Sequence, residues 1–440
     1  MQEHFLAVAD ALQAQLKGDE GYLARFSGET SDFVRFNRSA VRQAGAVEQR
    51  YLTLELFRGK RHASQTLTLS GDGESDQAAA RHAVTTLRDI LADAAEDPHF
   101  LINTAPQSTT RTLPSAVARP EEGVDAVLAA GAGHDMVGFY AAGPMHHGFA
   151  NSFGQRNWDT VQAFNVDLSF YLRADKAVKM THAGTAWDAK AFAAKADGAK
   201  GRLAALARPA QTITPGGYRV YLAPAAVEEV MSMLSWGGFG LAGHRTATTP
   251  LIKMVEQGVT LNASVTLSEN NRDGVAPGFQ NEGFIKPDRV TLIEAGRYMD
   301  TLASPRSAAE FGAVQNGADA HESPMSLDLA PGTLPAADIL ETLGTGIYIG
   351  NLWYLNYSDR NACRLTGMTR FATFWVENGE IAAPLNVMRF DDTVYRLLGD
   401  NLVALTAERD LLLSTDTYEA RSTRSMRMPG AIIDDFKMTL

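Results

Sequence analysis

The sequence predicts an α+β protein: an N-terminal α+β domain with a small antiparallel sheet flanked by helices, followed by a larger β-rich C-terminal domain. Two patterns predict this class, because a few segments place apolar residues at helical spacing while long stretches between them alternate with period two. The length of the chain also supports more than one domain. A chain of 440 residues with 45% hydrophobic content exceeds the needs of one ordinary core, so we expect two or three folding units.

The N-terminal elements follow from periodicity. Apolar residues three or four apart predict a first helix that ends near Gly18: Phe5, Val8, Leu12 and Leu16. Alternation of β-branched and aromatic residues from Tyr22 to Leu69 predicts an antiparallel sheet. Ser75 then stands ahead of Asp76 as the predicted cap of an amphipathic helix that stops by Pro98.

The middle of the chain begins with a connector from Asn103 to Pro120, which has little to bury. Helices and strands then alternate, with a helix over Glu121–Ala130, strands over Met136–Ala150 and Val161–Leu172, and an Ala-rich helix over Trp187–Ala207. We therefore predict three parts: an N-terminal α+β domain over 1–115, a central segment over 116–215 and a β-rich domain over 216–440.

The last part opens with a clearly signalled helix. Pro224 suits a first helical position, and an apolar stripe follows it as far as the glycines of Gly237–Gly240. Further on, Glu377-Asn378-Gly379-Glu380 stands between two apolar runs and predicts a tight hairpin.

Composition excludes several classes of function. The net charge is −11 without a block of like charge, so we expect no direct contact with nucleic acid. Cys363 is the one cysteine, which excludes an internal disulfide and a Cys-rich zinc site. The first 17 residues carry scattered acidic residues and no long apolar run, so we expect neither a signal peptide nor a membrane span. Because a single cysteine needs no oxidising compartment, we expect a cytoplasmic location.

Motifs for metal or nucleotide chemistry are weak. The ten histidines offer no pair at helical ligand spacing, and His321-Glu322 is followed by Pro324, which predicts a loop. Gly238–Gly243 has the spacing G-x-G-x-x-G, but it follows a predicted helix and not a strand, which favours a glycine-rich helix exit. From these residues we predict no metal site in this chain.

Several short segments match one family in order along the chain: Phe33–Asn37, Ala150–Gly154, Asn281–Gly283, Gly344–Gly346 and Phe374–Ile381. They resemble the first strands, the NS-x-G segment, the D-x-E-G element, the G-T-G motif and the F-W-V-E-N-G-E-I signature of the TldD/PmbA family, the modulators of DNA gyrase or microcin-processing peptidases. The resemblance runs nearly end to end.

The family has two kinds of subunit, one with zinc on an H-E-x-x-x-H helix plus a Cys near the C-terminus, and one without. This chain resembles the second, PmbA (TldE)-like kind. The equivalent helix, Ala225–Leu234, offers no such spacing, and Ser425–Met428 stands where the Cys is expected. The resemblance therefore implies no cofactor here, with zinc only on a partner.

The resemblance also implies a function and partners. We expect the non-metal subunit of a cytosolic peptidase complex that processes or degrades unfolded peptides, as a homodimer or as a heterodimer with a zinc-bearing TldD-like subunit. Two alternatives stay open. One is a standalone homodimeric peptide-binding or scaffold paralogue, and the other is a metal-independent hydrolase that uses Cys363 or His244.

A peptide cleft is predicted where glycines let a peptide backbone approach and where arginines can hold a carboxylate. The predicted cleft residues are Gly237, Gly238, His244, Arg245, Glu282, Gly283, Tyr357, Arg360 and Arg370. For the arginines, surface or interface ion pairing is the alternative interpretation, and for the aromatic run from Trp353 it is plain packing. No catalytic residue is predicted.

Overall fold

The structure is a computed structural model that describes residues 1–439. It contains two sheets, one of seven and one of eleven strands, with helices packed on both, and this confirms the α+β class. The elements of the first sheet and its helices are α1 (Gln2–Gln13), β1 (Glu20–Asn37), β2 (Ala40–Arg58), β3 (Arg61–Thr68), α2 (Gly73–Asp93), β4 (Thr109–Thr112), α3 (Pro120–Gly131), β5 (Asp135–Asn151), β6 (Arg156–Arg173), β7 (Lys176–Gly184) and α4 (Ala189–Ala205).

The first sheet has the strand order β3-β2-β1-β5-β6-β4, and β7 also pairs with β6. The central strands β1, β2 and β5 are long antiparallel ribbons of 18, 19 and 17 residues. The predicted connector contains β4, which pairs in parallel with β6, so it joins parts of one continuous sheet. The predicted division at residues 115 and 215 stays a prediction.

Helices α1 and α2 cover one face of this sheet. The helix α1 buries Phe5, Val8 and Leu12 of the predicted stripe, but it ends at Gln13 and not near Gly18, so Leu16 lies beyond it. The prediction that Ser75 caps the next helix is wrong, because α2 begins two residues earlier and the Asp72 carboxylate accepts the Ser75 amide at 2.8 Å. Aspartate is as good an N-cap as serine, and here it lies one turn ahead.

The second sheet and its helices comprise β8 (Gly216–Leu222), α5 (Pro224–Ser235), α6 (Leu241–Arg245), α7 (Ile252–Gln257), β9 (Leu267–Asn270), β10 (Arg289–Glu294), β11 (Arg297–Tyr298), α8 (Pro305–Phe311), β12 (Ser326–Leu329), α9 (Ile339–Leu343), β13 (Gly346–Asp359), β14 (Arg364–Glu377), β15 (Glu380–Pro384), β16 (Arg389–Thr393), β17 (Leu402–Leu413) and β18 (Ser425–Met438). Short 3₁₀ and π turns lie at Ala336–Asp338 and Arg396–Asp400.

Five strands of the second sheet close into a ring. The strand β8 pairs in parallel with β13 and antiparallel with β18, and the path returns from β13 through β14 and β16 to β18. The helix α5 packs on β13 and β18 and buries Val227, Val230 and Leu234, as its apolar stripe predicts. Closure of the ring leaves these core strands without a free edge.

The predicted hairpin at Glu377–Glu380 is confirmed. It joins β14 to β15, and Asn378 and Gly379 both have positive φ, at 51° and 79°. Two successive left-handed residues are the requirement of a type I′ turn, which asparagine and glycine satisfy most easily.

The two sheets share a core. Ala372 and Phe374 of β14 are buried in the same apolar cluster as residues of β5, β6 and α4. Among residues 1–439, no helix has the length and apolar content to cross a membrane. The contact between the sheets leaves a row of cavities beside it.

Candidate functional site between the two sheets

Three adjoining cavities lie between the first sheet and the second. We name them the sheet cleft (about 640 Å³, against β1, β2 and the segment 415–421), the α5 cavity (about 340 Å³, against α5) and the α4 cavity (about 240 Å³, between α4 and the start of α5). The first two share Asp167, Lys179 and Thr415, and the last two share Thr181, Ala225 and Asn351 as well as Lys179. Their walls are therefore continuous.

The wall of the sheet cleft follows from strand alternation. Side chains two residues apart on one strand point to the same face, so every second residue lines the cleft along one stretch of β1 and one stretch of β2. These residues are Glu29, Ser31, Phe33 and Arg35 on β1, and Gln43, Gly45, Val47 and Gln49 on β2. The wall is mixed in character, with charged, amide and aromatic groups side by side.

Arg421 fastens the opposite wall of the sheet cleft. Its guanidinium donates to the Gly143 carbonyl at 3.1 Å, the Ala163 carbonyl at 2.8 Å and the Ser31 hydroxyl at 3.2 Å. Burial lowers the pKa of Arg421, and the nearby Glu29 carboxylate offsets part of that effect. One half-buried cation thus holds the segment between β17 and β18 against the first sheet.

Two carboxylates of α5 line the α5 cavity. Burial, and to a lesser extent the adjacent Glu228 carboxylate, raise the pKa of Glu229 to about 7. Burial also raises the pKa of Glu228, whose carboxylate accepts from the Ser232 hydroxyl at 3.1 Å. Neither carboxylate forms a salt bridge within residues 1–439. A negative charge on this helix is therefore poorly compensated.

An ion pair stands where the three cavities meet. The Lys179 ammonium on β7 lies 3.0 Å from the Asp167 carboxylate on β6. Lys179 also lowers the pKa of both Glu228 and Glu229, so its charge acts across the α5 cavity. This lysine is the common charged residue of the whole site.

The predicted cleft residues beyond α5 form a tightly hydrogen-bonded loop. Arg360 donates to the carbonyls of Trp236 at 3.1 Å and Thr248 at 3.0 Å, and it lies 5.0 Å from the centre of the Tyr357 ring. The Tyr357 hydroxyl donates to the Met233 carbonyl at 2.7 Å. These groups bind the protein's own backbone at the end of α5.

Glycine and histidine complete this loop. Gly237 has φ of 77°, and a Cβ there would lie 2.8 Å from an Arg360 nitrogen. His244 Nε2 lies 3.1 Å from the Gly238 carbonyl and 3.0 Å from the Tyr298 hydroxyl. Burial lowers the pKa of His244. The predicted glycine-rich helix exit is thus the arrangement found, since α5 precedes the glycines and α6 follows them.

The remaining predicted residues lie in other surroundings. Arg245 is exposed, and Arg370 stacks 3.9 Å from the centre of the Trp353 ring. The Gly283 carbonyl accepts from the side-chain amides of Asn103 at 3.0 Å and Gln155 at 2.7 Å, against the first sheet.

Burial raises the pKa of the neighbouring Glu282, and Arg25 partly counters the shift. None of the nine predicted cleft residues lines the three cavities. Their part in peptide binding stays a prediction.

Cys363 is a poor nucleophile in this setting. Its side chain is fully buried, and burial raises its pKa to about 12. A thiol with that pKa is almost entirely protonated near neutral pH, whereas the thiolate is the reactive form. The structure therefore gives no support to a hydrolase based on Cys363.

A zinc site does not fit the residues of the α5 cavity. Within residues 1–439 no three His, Cys, Asp or Glu side chains stand close enough together to hold a metal ion. The donors that α5 turns toward the cavity are carboxylates and hydroxyls, whereas structural and catalytic zinc sites rely on imidazole or thiolate ligands. We derive no chemistry through a metal in this chain.

Sequence comparison identifies the second half of the chain. Residues 215–440 match the profile described as the PmbA/TldA metallopeptidase C-terminal domain, which is just over half of the chain. The chain belongs to the PmbA/TldD family. The match begins at β8 and covers the whole closed ring together with α5 and the segment that carries Arg421. No curated protein matches the sequence.

Solved structures of the family share the fold over their full length. A protein described as a modulator of a DNA gyrase from Thermotoga maritima is 14% identical, with a TM-score of 0.76, and the alignment covers 99% of this chain and 100% of that one. TldE from Thermococcus kodakarensis is 13% identical, with a TM-score of 0.79 and the same coverage.

A protein described as a modulator of DNA gyrase from Bacteroides thetaiotaomicron is 14% identical, with a TM-score of 0.75. The alignment covers 99% of this chain and 98% of that one. At these identities the likeness shows a common fold.

Five charged residues that line the cavities are not among the residues predicted from the sequence: Glu228, Glu229, Lys179, Arg202 and Arg421. One signal was available, because two adjacent glutamates interrupt an otherwise apolar helix in Pro224–Ser235. The others lie on different strands and loops, and only the packing of the sheets brings them together.

Proposed function

We propose that this chain is the non-metal subunit of a TldD/PmbA-type peptidase assembly and that its cavities form part of the chamber for unfolded peptides. A zinc-bearing partner of the same family would carry out the hydrolysis. Membership of the metallopeptidase family supports the general class. The subunit role and the partner are the specific part of the proposal.

The observation that carries the proposal is the position and content of α5. This helix corresponds, by the family resemblance, to the zinc-binding helix of the metal-bearing subunit, and it lines a cavity in this chain too. It presents Glu228, Glu229 and Ser232 there, and its twelve residues contain neither His nor Cys. The helix thus lines a cavity with donors that do not suit zinc, which supports the non-metal role.

The shape and lining of the cavities support a peptide as the occupant. The continuous walls of the three cavities offer about as much space as a short extended segment needs. Charged, amide and aromatic side chains alternate along them, which suits main-chain amides and varied side chains better than one rigid small molecule.

Native mass spectrometry of the protein isolated from its own host tests the proposal, since one spectrum reports bound metal and companion subunits. We expect a zinc-free mass for this chain, in complex with a second chain that carries zinc. Peptidase assays should show turnover by the pair and none by this chain alone.

Two other results would contradict the proposal in different ways. A zinc-free homodimer without a metal-bearing companion would favour the standalone peptide-binding or scaffold alternative. Stoichiometric zinc on this chain by itself would show that the subunit is not the non-metal kind.

A further inference from the structure

We propose that the α4 cavity binds the C-terminal carboxylate of a peptide, with Arg202 and the Tyr221 hydroxyl as its principal ligands. The inference rests on the proposed function and deepens it, because it defines one end of the substrate. It predicts that peptides with a free C-terminus bind in preference to peptides with a blocked one.

Arg202 is the positively charged residue of this cavity that has no anionic partner within residues 1–439. It lies on α4, is half-buried, and its guanidinium forms no salt bridge or hydrogen bond with another side chain within residues 1–439. A guanidinium presents paired N–H donors in the geometry that a carboxylate accepts. An arginine in a cavity wall without an anion is therefore suited to one from a ligand.

Tyr221 supplies a second free donor. Only 4% of its surface is exposed, and its hydroxyl has no hydrogen-bond partner within residues 1–439. The side chain lines the α4 cavity, and its hydroxyl is close enough to Arg202 and Asp410 to feel their charges. A hydroxyl that reaches the cavity without a protein partner is free to donate to a ligand oxygen.

The other charged groups of the cavity are already matched. The Lys195 ammonium lies 2.8 Å from the Asp410 carboxylate and also donates to the Thr181 carbonyl at 3.2 Å. Lys179 is paired with Asp167 at 3.0 Å. One positive charge thus remains, which balances one carboxylate but only part of the charge of a phosphate.

The N-terminus of α5 adds an electrostatic field that favours a negative charge in the cavity. Ala223 is its N-cap and has no side chain that could cap the helix, and Pro224 and Ala225 line the cavity. The positive end of the twelve-residue helix dipole therefore faces the same space as Arg202 and Tyr221. Three independent features favour an anion at one place.

The position of the cavity suits the end of a peptide. With a volume of about 240 Å³, it is the smallest of the three, and it opens on the α5 cavity past Lys179, Thr181 and Asn351. A terminal residue in the α4 cavity would direct the preceding residues into the α5 cavity and the sheet cleft.

The test compares one unstructured octapeptide without acidic side chains as the free acid and as the C-terminal amide. Isothermal titration calorimetry on the full chain should show the free acid binding about tenfold more tightly, as expected for one charge-assisted pair. Arg202→Gln should abolish that difference. Arg173→Gln is the matched control, because Arg173 is exposed and lines none of the three cavities.

Tyr221→Phe separates ligand binding from folding. The substitution removes a hydroxyl that has no protein partner, so the thermal unfolding midpoint should not fall. The preference for the free acid should decrease about threefold, as expected for one neutral hydrogen bond.

Three outcomes would overturn the inference. If the free acid and the amide bind equally well, the proposed carboxylate site is contradicted, but the proposed function is not. Binding of inorganic phosphate but not of the free acid would assign the cavity to a different anion. If neither peptide binds to the folded chain, the proposed function fails together with the inference.

Discussion

The two ends of α5 differ in how their polar groups are satisfied. At its C-terminal end, Arg360, Tyr357 and His244 bind backbone carbonyls or another side chain of the same protein, and the glycines allow these close contacts. Along its cavity face, Glu228 and Glu229 have no ion-pair partner within residues 1–439. The glycine-rich motif after α5 can therefore serve the structure of the protein itself. Carboxylates without an ion-pair partner beside a cavity are better indicators of a binding site.

The largest expected effect concerns the wall opposite the first sheet. Arg421→Met should lower the free energy of unfolding by about 3 kcal/mol or more, because it leaves buried carbonyls and Glu29 without their cation. Urea denaturation measures the change. Arg424→Met in the same segment is the control and should change stability by less than about 0.5 kcal/mol, since that side chain is exposed. Equal effects of the two substitutions would show that Arg421 does not fasten this wall.

The next largest effect is expected from the unmatched charge on α5. Burial raises the pKa of Glu229 from 4.5 to about 7, so the folded state holds its proton more tightly than the unfolded state. The stability that this provides is present below about pH 4.5 and is lost as the pH rises through about 7.

Glu229→Gln should therefore stabilise the protein at pH 8 by roughly 3 kcal/mol at most, and by almost nothing at pH 4. Chemical denaturation at the two pH values measures the difference. Glu256→Gln, at an exposed position on α7, should show no such dependence on pH. A stabilisation that is the same at both pH values would contradict a buried ionisation at Glu229.

A smaller effect is expected in the glycine-rich loop. Gly237→Ala should cost about 1–2 kcal/mol, because it combines a positive φ with a contact to Arg360. Gly258→Ala has a similar φ of 67° but open space around the new methyl group, so it should cost about 1 kcal/mol. Thermal unfolding compares the two. A neutral Gly237→Ala would mean that the loop is not held in this conformation.

The smallest effect concerns Cys363, where the expected result is a lack of reaction. With the pKa raised to about 12 and the side chain fully buried, the native thiol should react with iodoacetamide at pH 8 far more slowly than the same thiol in urea. Mass spectrometry follows the alkylation. Rapid labelling of the native protein would reopen the thiol version of the hydrolase alternative.

Prediction from the sequence was strongest where periodicity alone decides the structure. Most of the stripe of α1, the existence of the long strand β1 and the type I′ turn at Asn378-Gly379 all follow from residues close together in the chain. The family resemblance added the C-terminal domain, which the profile match over residues 215–440 supports. The cap at Asp72 was missed, because Ser75 is an equally good candidate from sequence.

The sequence by itself determined the fold class, the family and the absence of a helical histidine pair in this chain. Only the tertiary structure decided which charged groups face a cavity and which are already paired. Arg202 and Tyr221 are 19 residues apart on α4 and β8, and Arg421 binds carbonyls of β5 and β6 more than 250 residues earlier in the chain. Residue patterns within a short segment do not determine contacts between residues so far apart in the chain, because the packing of the whole core sets how the two sheets lie against each other.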